Sequence, residues 1–161
     1  MRIVGVDPGL RATGFGLVEV KTGTVKILDA GSIEPNTKAL FEERIARIYH
    51  LLSGIIRAHQ PHVLVLEKLY AHYKHPTTAC LLGHVRGVIC LLAHEHQVQL
   101  TEYSVKRIRQ ALIGNGNATE GQVQMFVKHF LKIESAKLNL DTSDALALAL
   151  GHAQMRRFKL L

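Results

Sequence analysis

Apolar and polar residues alternate through Arg2 to Asp7, Thr13 to Val20 and Thr24 to Ile33 in the manner of strands. The breaks between them, Asp7-Pro8-Gly9 and Lys21-Thr22-Gly23, are short, which predicts an antiparallel meander. After Pro35 and Asn36 the period lengthens. Leu40, Phe41, Ile45, Ile48, Leu52, Ile55 and Ile56 recur at helical spacing and predict a long helix to about Ala58. His62 to Glu67 is a brief run rich in Val and Leu, the form of a strand covered on both faces, and is expected beside Arg2 to Asp7. Pro76 to His94 reads as a helix apolar almost all round, more than one sheet face can cover. Val98 to Tyr103 is expected as a fifth strand, followed by short helices over Ser104 to Ile113 and Glu120 to Leu131. Asp141 to Met155 predicts the last helix, and the polar tail Arg156 to Lys159 is expected to fray. The pattern contains no repeat and no linker, so residues 1–161 are expected to form a single domain.

Four acids stand where this pattern breaks. Asp7 and Glu67 close strand-like runs, and Asp141 and Asp144 open the last helix. If the strands ending in Asp7 and Glu67 are parallel neighbours, both carboxylates emerge at their carboxyl ends, where open α/β sheets form their crevices. Asp141 and Asp144 are three apart, hence on one helix face. Taken singly, each has an ordinary explanation: Asp7 in its turn, Glu67 as a solvated strand end, Asp141 as an N-cap. Asp144 is harder to explain that way, because Ala145-Leu146-Ala147-Leu148-Ala149-Leu150 leaves it no polar face. Two charges about 4 Å apart repel by roughly 4 kcal/mol at an effective dielectric near 20, so a pocket collecting these acids must protonate some or bind a cation.

Composition narrows the partner. The chain is 47% hydrophobic with mean hydropathy +0.10, which excludes a disordered protein. Twenty Lys and Arg against thirteen Asp and Glu give +7 and favour a polyanion. Cys80 and Cys90 read as reduced core residues of a cytoplasmic protein. No signal-peptide pattern opens the chain, and the apolar run Ala79 to Ala93, interrupted by His84 and Arg86, falls short of a membrane helix. His94 and His96 lack metal-site spacing and are expected at a surface or interface. Gly83 and Gly87 suggest a strip for close helix approach, either within the monomer or in a homodimer, for which a charge at Val85 or Ile89 is the natural probe.

The blocks Gly5-Val6-Asp7-Pro8-Gly9 with Thr13-Gly14, Leu66-Glu67-Lys68-Leu69-Tyr70, Gly83-His84-Val85-Arg86-Gly87, Gly114-Asn115-Gly116 and Asp141-Thr142-Ser143-Asp144-Ala145-Leu146-Ala147 resemble, in order and over nearly the whole chain, the RuvC-type Holliday junction resolvases. The resemblance implies an α/β, RNase H-like fold with a five-stranded mixed sheet flanked by helices. It also implies a two-fold homodimer that cuts opposed strands of a four-way DNA junction and leaves 5′ phosphate and 3′ hydroxyl ends. Asp7, Glu67, Asp141 and Asp144 fall on the family's metal-binding carboxylates, which implies two Mg²⁺ ions, with Mn²⁺ as a substitute. Tyr70 falls where the family stacks an aromatic ring on an exposed base, and Arg109 where it has a basic residue that contacts DNA near the active site, with Lys106 and Arg107 beside it. RuvA and RuvB are the implied partners. One departure stands out: where members commonly carry a Lys after the Gly-x-Gly loop, this chain has Glu120. Rival readings are an actin-like nucleotide-binding fold, for which 161 residues leave no second lobe, a non-catalytic junction or RNA binder, which has no use for four acids, and another RNase H-like nuclease with a different substrate.

Overall fold

The computed structural model describes residues 1–68, 76–133 and 138–156. Strands β1 (Arg2–Asp7), β2 (Thr13–Lys21) and β3 (Thr24–Ile33) form the expected antiparallel meander. Helix α1 (Phe41–His59) leads into β4 (Val63–Glu67), and α2 (Pro76–Glu95) into β5 (Gln99–Tyr103). Three helices follow: α3 (Val105–Ile113), α4 (Glu120–Leu131) and α5 (Leu140–Met155). The sheet order is β3-β2-β1-β4-β5, with β4 parallel to both β1 and β5. This is the mixed five-stranded sheet, covered on both faces by helices.

Strand alternation sorts the side chains between two cores. Ile3, Val63 and Val65 pack with Ile108, Val123 and the apolar residues of α5, while Val4, Val6, Leu64 and Leu66 face Leu52 of α1 and Ile89 of α2. By the same two-residue period, Asp7 shares the face of Ile3, and Glu67 that of Val65. Both carboxylates are therefore directed to the α5 side.

Helix α5 lies close against that face because the strands beneath it carry glycine. A Cβ on Gly5 would overlap the Ala145 carbonyl oxygen, and one on Gly14 the Asp141 carbonyl oxygen. Every residue from Ala145 to Ala153 is buried, since α3 and α4 cover the side of α5 turned away from the sheet. Burying Leu146, Leu148 and Leu150 contributes about 2 kcal/mol apiece.

Helix α2 has a similar apolar sequence and a different setting. Val85, Arg86, Ile89, Leu92 and Ala93 are buried, whereas Cys80, Gly83, His84, Gly87 and Leu91 form an exposed stripe. Val85 and Ile89 thus face inward and cannot probe a contact between copies, and Cys80 is exposed rather than a core residue. At 20 residues and a mean hydropathy of 1.4, α2 also reaches the length and composition of a membrane span, against the expectation that it falls short. Its buried face makes it a structural layer of this fold.

Candidate active site

Asp7 and Glu67 end adjacent parallel strands whose register runs to Val6 opposite Leu66, so the two acids stand side by side at the carboxyl edge of the sheet. The turn after Asp7 is held without its carboxylate. Thr13 Oγ1 donates to the Gly9 carbonyl at 3.2 Å, and the Arg44 guanidinium donates to the Leu10 carbonyl. That leaves Asp7 free for other work, contrary to its ordinary explanation as a turn residue.

The other two acids arrive on α5. Its N-cap is Asn139, whose side chain accepts from the Thr142 N–H at 2.9 Å. Asp141 is therefore not the cap; it lies in the first turn, where its main chain rests on Gly14, the cross-strand partner of Asp7. Asp144 follows one turn later, between the buried Ser143 and Ala145.

The electrostatics tie the other three acids to Asp7. Burial pushes the Asp7 carboxyl up to about 7, reinforced by the charges of Glu67, Asp144, Asp141 and Glu120. Asp144 is pushed up to about 6, first by burial, then by Glu120 and Glu67, with Arg109 opposing. Burial raises Glu67 as well, against the pull of Arg86 and Arg109. Such a set of hard oxygen donors suits a divalent cation. Among the described residues no three His, Cys, Asp or Glu side chains form a finished ligand shell. The other three acids raise the Asp7 carboxyl without converging at a single point, so the residues fit a cation in donor chemistry and charge.

A cleft of about 240 Å³ opens beside them, lined by Glu67, Asp144, Arg109 and Glu120 over a floor that includes Ile108, Val123 and Leu148. Arg109 donates to the Ala118 carbonyl at 2.7 Å, tying α3 to the segment that precedes α4. Glu120 stands in the first turn of α4 after the capping residue Thr119. The departure noted in the sequence therefore puts a third acid in the cleft lining, beside Glu67 and Asp144 and together with Arg109. Lys106 and Arg107 are exposed outside that lining, and the Arg107 guanidinium sits 5.4 Å above the Tyr103 ring. Tyr70 lies outside the described residues. His94 is exposed, and His96 Nε2 lies 2.8 Å from Ser53 Oγ, far along the chain from the acids.

The family model described as crossover junction endodeoxyribonuclease RuvC matches residues 3–152. The chain belongs to the RuvC family. A relative from Chloroherpeton thalassium, a crossover junction endodeoxyribonuclease RuvC, is 40% identical over 153 residues, 94% of this chain and 82% of the relative. Another, from Alkaliphilus metalliredigens, is 35% identical over 161 residues, covering 100% of this chain and 98% of the relative. Among solved structures, Thermus thermophilus RuvC superposes with a TM-score of 0.88 at 27% identity, over 98% of this chain and 96% of that one. The fold is accordingly RNase H-like, as the resemblance implied.

Reasoning from the RuvC-like sequence blocks passed over Arg86. It lies inside one of them but reads there only as an interruption of an apolar helix. The signal was the same as for Asp144, a charge with no polar face to occupy.

Proposed function

We propose that this chain resolves four-way DNA junctions as a metal-dependent endodeoxyribonuclease, using Asp7, Glu67, Asp141 and Asp144 as its catalytic carboxylates. The observation that carries this reading is the effect of Glu67, Asp141 and Asp144 on the Asp7 carboxyl, where two parallel strands end under α5, in a chain of the RuvC family. A divalent cation bound there supplies Lewis acidity to a phosphodiester oxygen and lowers the pKa of water. The oxygen donors favour Mg²⁺, two ions per site, with Mn²⁺ as a substitute. Asp7, whose carboxyl is pushed up to about 7, would hold the ions together with Glu67 and the two acids of α5, Asp141 and Asp144. Hydrolysis leaves 5′ phosphate and 3′ hydroxyl ends.

The chain's own cations complete the scheme. Arg109 is held at the cleft by Ala118 and offsets negative charge near the scissile phosphate. Lys106 and Arg107 are exposed on the same helix and serve the DNA backbone, within a chain of net charge +7. Tyr70 is assigned to base stacking on the resemblance alone. Symmetric cutting calls for two sites, and the exposed stripe of α2 supports a homodimer. RuvA and RuvB, as branch-migration partners, and a cytoplasmic setting complete the reading for the single domain of residues 1–161.

The test is incubation of purified protein and Mg²⁺ with a labelled synthetic four-way junction, beside linear duplex and RNA–DNA hybrid. The expected outcome is paired symmetric nicks in the junction alone. Preference for the hybrid would favour another RNase H-like nuclease. In the variants Asp7→Asn, Glu67→Gln and Asp144→Asn, cutting falls by more than the roughly 10- to 100-fold that changes at the periphery of a metal site produce, while junction binding persists. Equal loss of binding and cutting would make these acids structural.

A further inference from the structure

Arg86 is only 8% exposed, in a helix otherwise apolar on its buried side, and it reaches the sheet from the face opposite the carboxylate cleft. One arm of its guanidinium donates to the main-chain carbonyl of Glu67, and the other to the Glu102 carboxylate of β5. The ladder explains why that carbonyl needs a donor. The Lys68 N–H donates to the Tyr103 carbonyl at 2.8 Å, so alternation turns the Glu67 C=O away from β5 and toward β1. With Val6 opposite Leu66, the next donor on β1 is the main-chain nitrogen of residue 8. Residue 8 is Pro8, which has no N–H. A carbonyl left unpaired at a half-buried strand end is costly, and Arg86 supplies the missing bond.

The Glu67 carboxylate points to the α5 side while its main chain is gripped from the α2 side. The location of that carboxylate depends on a strand terminus that the ladder alone leaves unsecured. We propose that Arg86 is the positioning residue for Glu67, fixing the backbone that presents this acid to the cation. The inference rests on the reading of Glu67 as a metal ligand. It differs from a purely structural role, in which Arg86 only fastens α2 to β5 through Glu102.

The two roles separate in direct Mn²⁺ binding to the DNA-free protein, measured by the electron paramagnetic resonance signal of free Mn²⁺. In Arg86→Met, Mn²⁺ affinity is expected to fall about 10-fold or more. In the double variant with Glu67→Gln, the loss should match that of Glu67→Gln alone, because both changes act through one ligand. Arg86→Lys, which keeps a donor for the Glu67 carbonyl, should recover most of the affinity. Unchanged Mn²⁺ affinity in folded Arg86→Met, or losses that add in the double variant, overturns the proposal. If Arg86→Met does not fold, Glu102→Gln, which weakens the hold on the Arg86 guanidinium, runs through the same cycle, where a loss absent in the Glu67→Gln background supports it and wild-type affinity overturns it. If Glu67→Gln itself binds Mn²⁺ as wild type does, the reading of Glu67 falls and this inference with it. A weakened Glu67→Gln beside unaffected Arg86 variants removes only the role of Arg86.

Discussion

At Asp7 the fold holds a carboxyl that, without a cation, keeps its proton to a pH near 7, because burial and the neighbouring acids disfavour the charge. Its pKa is raised relative to the unfolded chain, so it favours folding fully below about pH 4, and that advantage is lost as pH rises through about 7. Metal-free protein should therefore melt at progressively lower temperature from pH 5 to 8, while Asp7→Asn should show a flatter profile and a higher melting temperature at pH 8. Discounted for partial solvent access, the gain is about 1 to 2 kcal/mol. Saturating Mg²⁺ should reverse the order of the two proteins at pH 8, since ligand binding stabilises only the form that binds it. Differential scanning calorimetry with chelator and with Mg²⁺ decides this; a wild-type minus Asp7→Asn difference independent of pH contradicts it. The acids were legible in the sequence because a carboxylate at the end of a buried run needs a reason. Arg86 was equally conspicuous, but its partner is a main-chain carbonyl, which no residue pattern displays.

Among the elements, α2 and α5 show where periodicity stops being informative. Both sequences are apolar almost all round, yet α5 is enclosed by sheet, α3 and α4, whereas α2 keeps an exposed stripe. Periodicity reports how much surface must be covered and is silent on which element covers it. The strand ends and the adjacency of β4 to β1 were readable, because turn residues and two-sided burial have local signatures, whereas the parallel sense of that pair entered only as a condition. The cap of α5 was not: Asn139 and Asp141 are both competent caps, and the choice depends on where the helix meets Gly14. That meeting gives a prediction. Gly14→Ala forces α5 off the sheet at the turn that carries Asp141, at a cost of about 2 to 3 kcal/mol, which is roughly 5 to 10 °C in melting temperature. Cleavage should fall further than stability explains when measured well below the melting point. Full activity in a destabilised Gly14→Ala protein would mean that the exact seat of α5 is unimportant to the site.

For the whole molecule, the proposed homodimer needs a surface that joins two copies. The exposed stripe of α2 carries Leu91, and the glycines beside it meet nothing within 4 Å of where a side chain would start. Leu91→Asp is expected to yield monomers in sedimentation that bind duplex DNA and no longer cut junctions in pairs. A wild-type monomer at micromolar concentration with full junction cleavage would remove this surface from the scheme. The span between the acids has one more consequence, for the order of synthesis. Asp7 is made well before Asp141, Asp144 and the helix that seats them, which come last among the described elements. A ribosome paused anywhere before residue 140 carries a polypeptide with strands and basic charge but half of the carboxylates. On the proposed assignment of the four acids, the ability to cut DNA is withheld from such incomplete chains and appears only when α5 docks onto the glycines of β1 and β2.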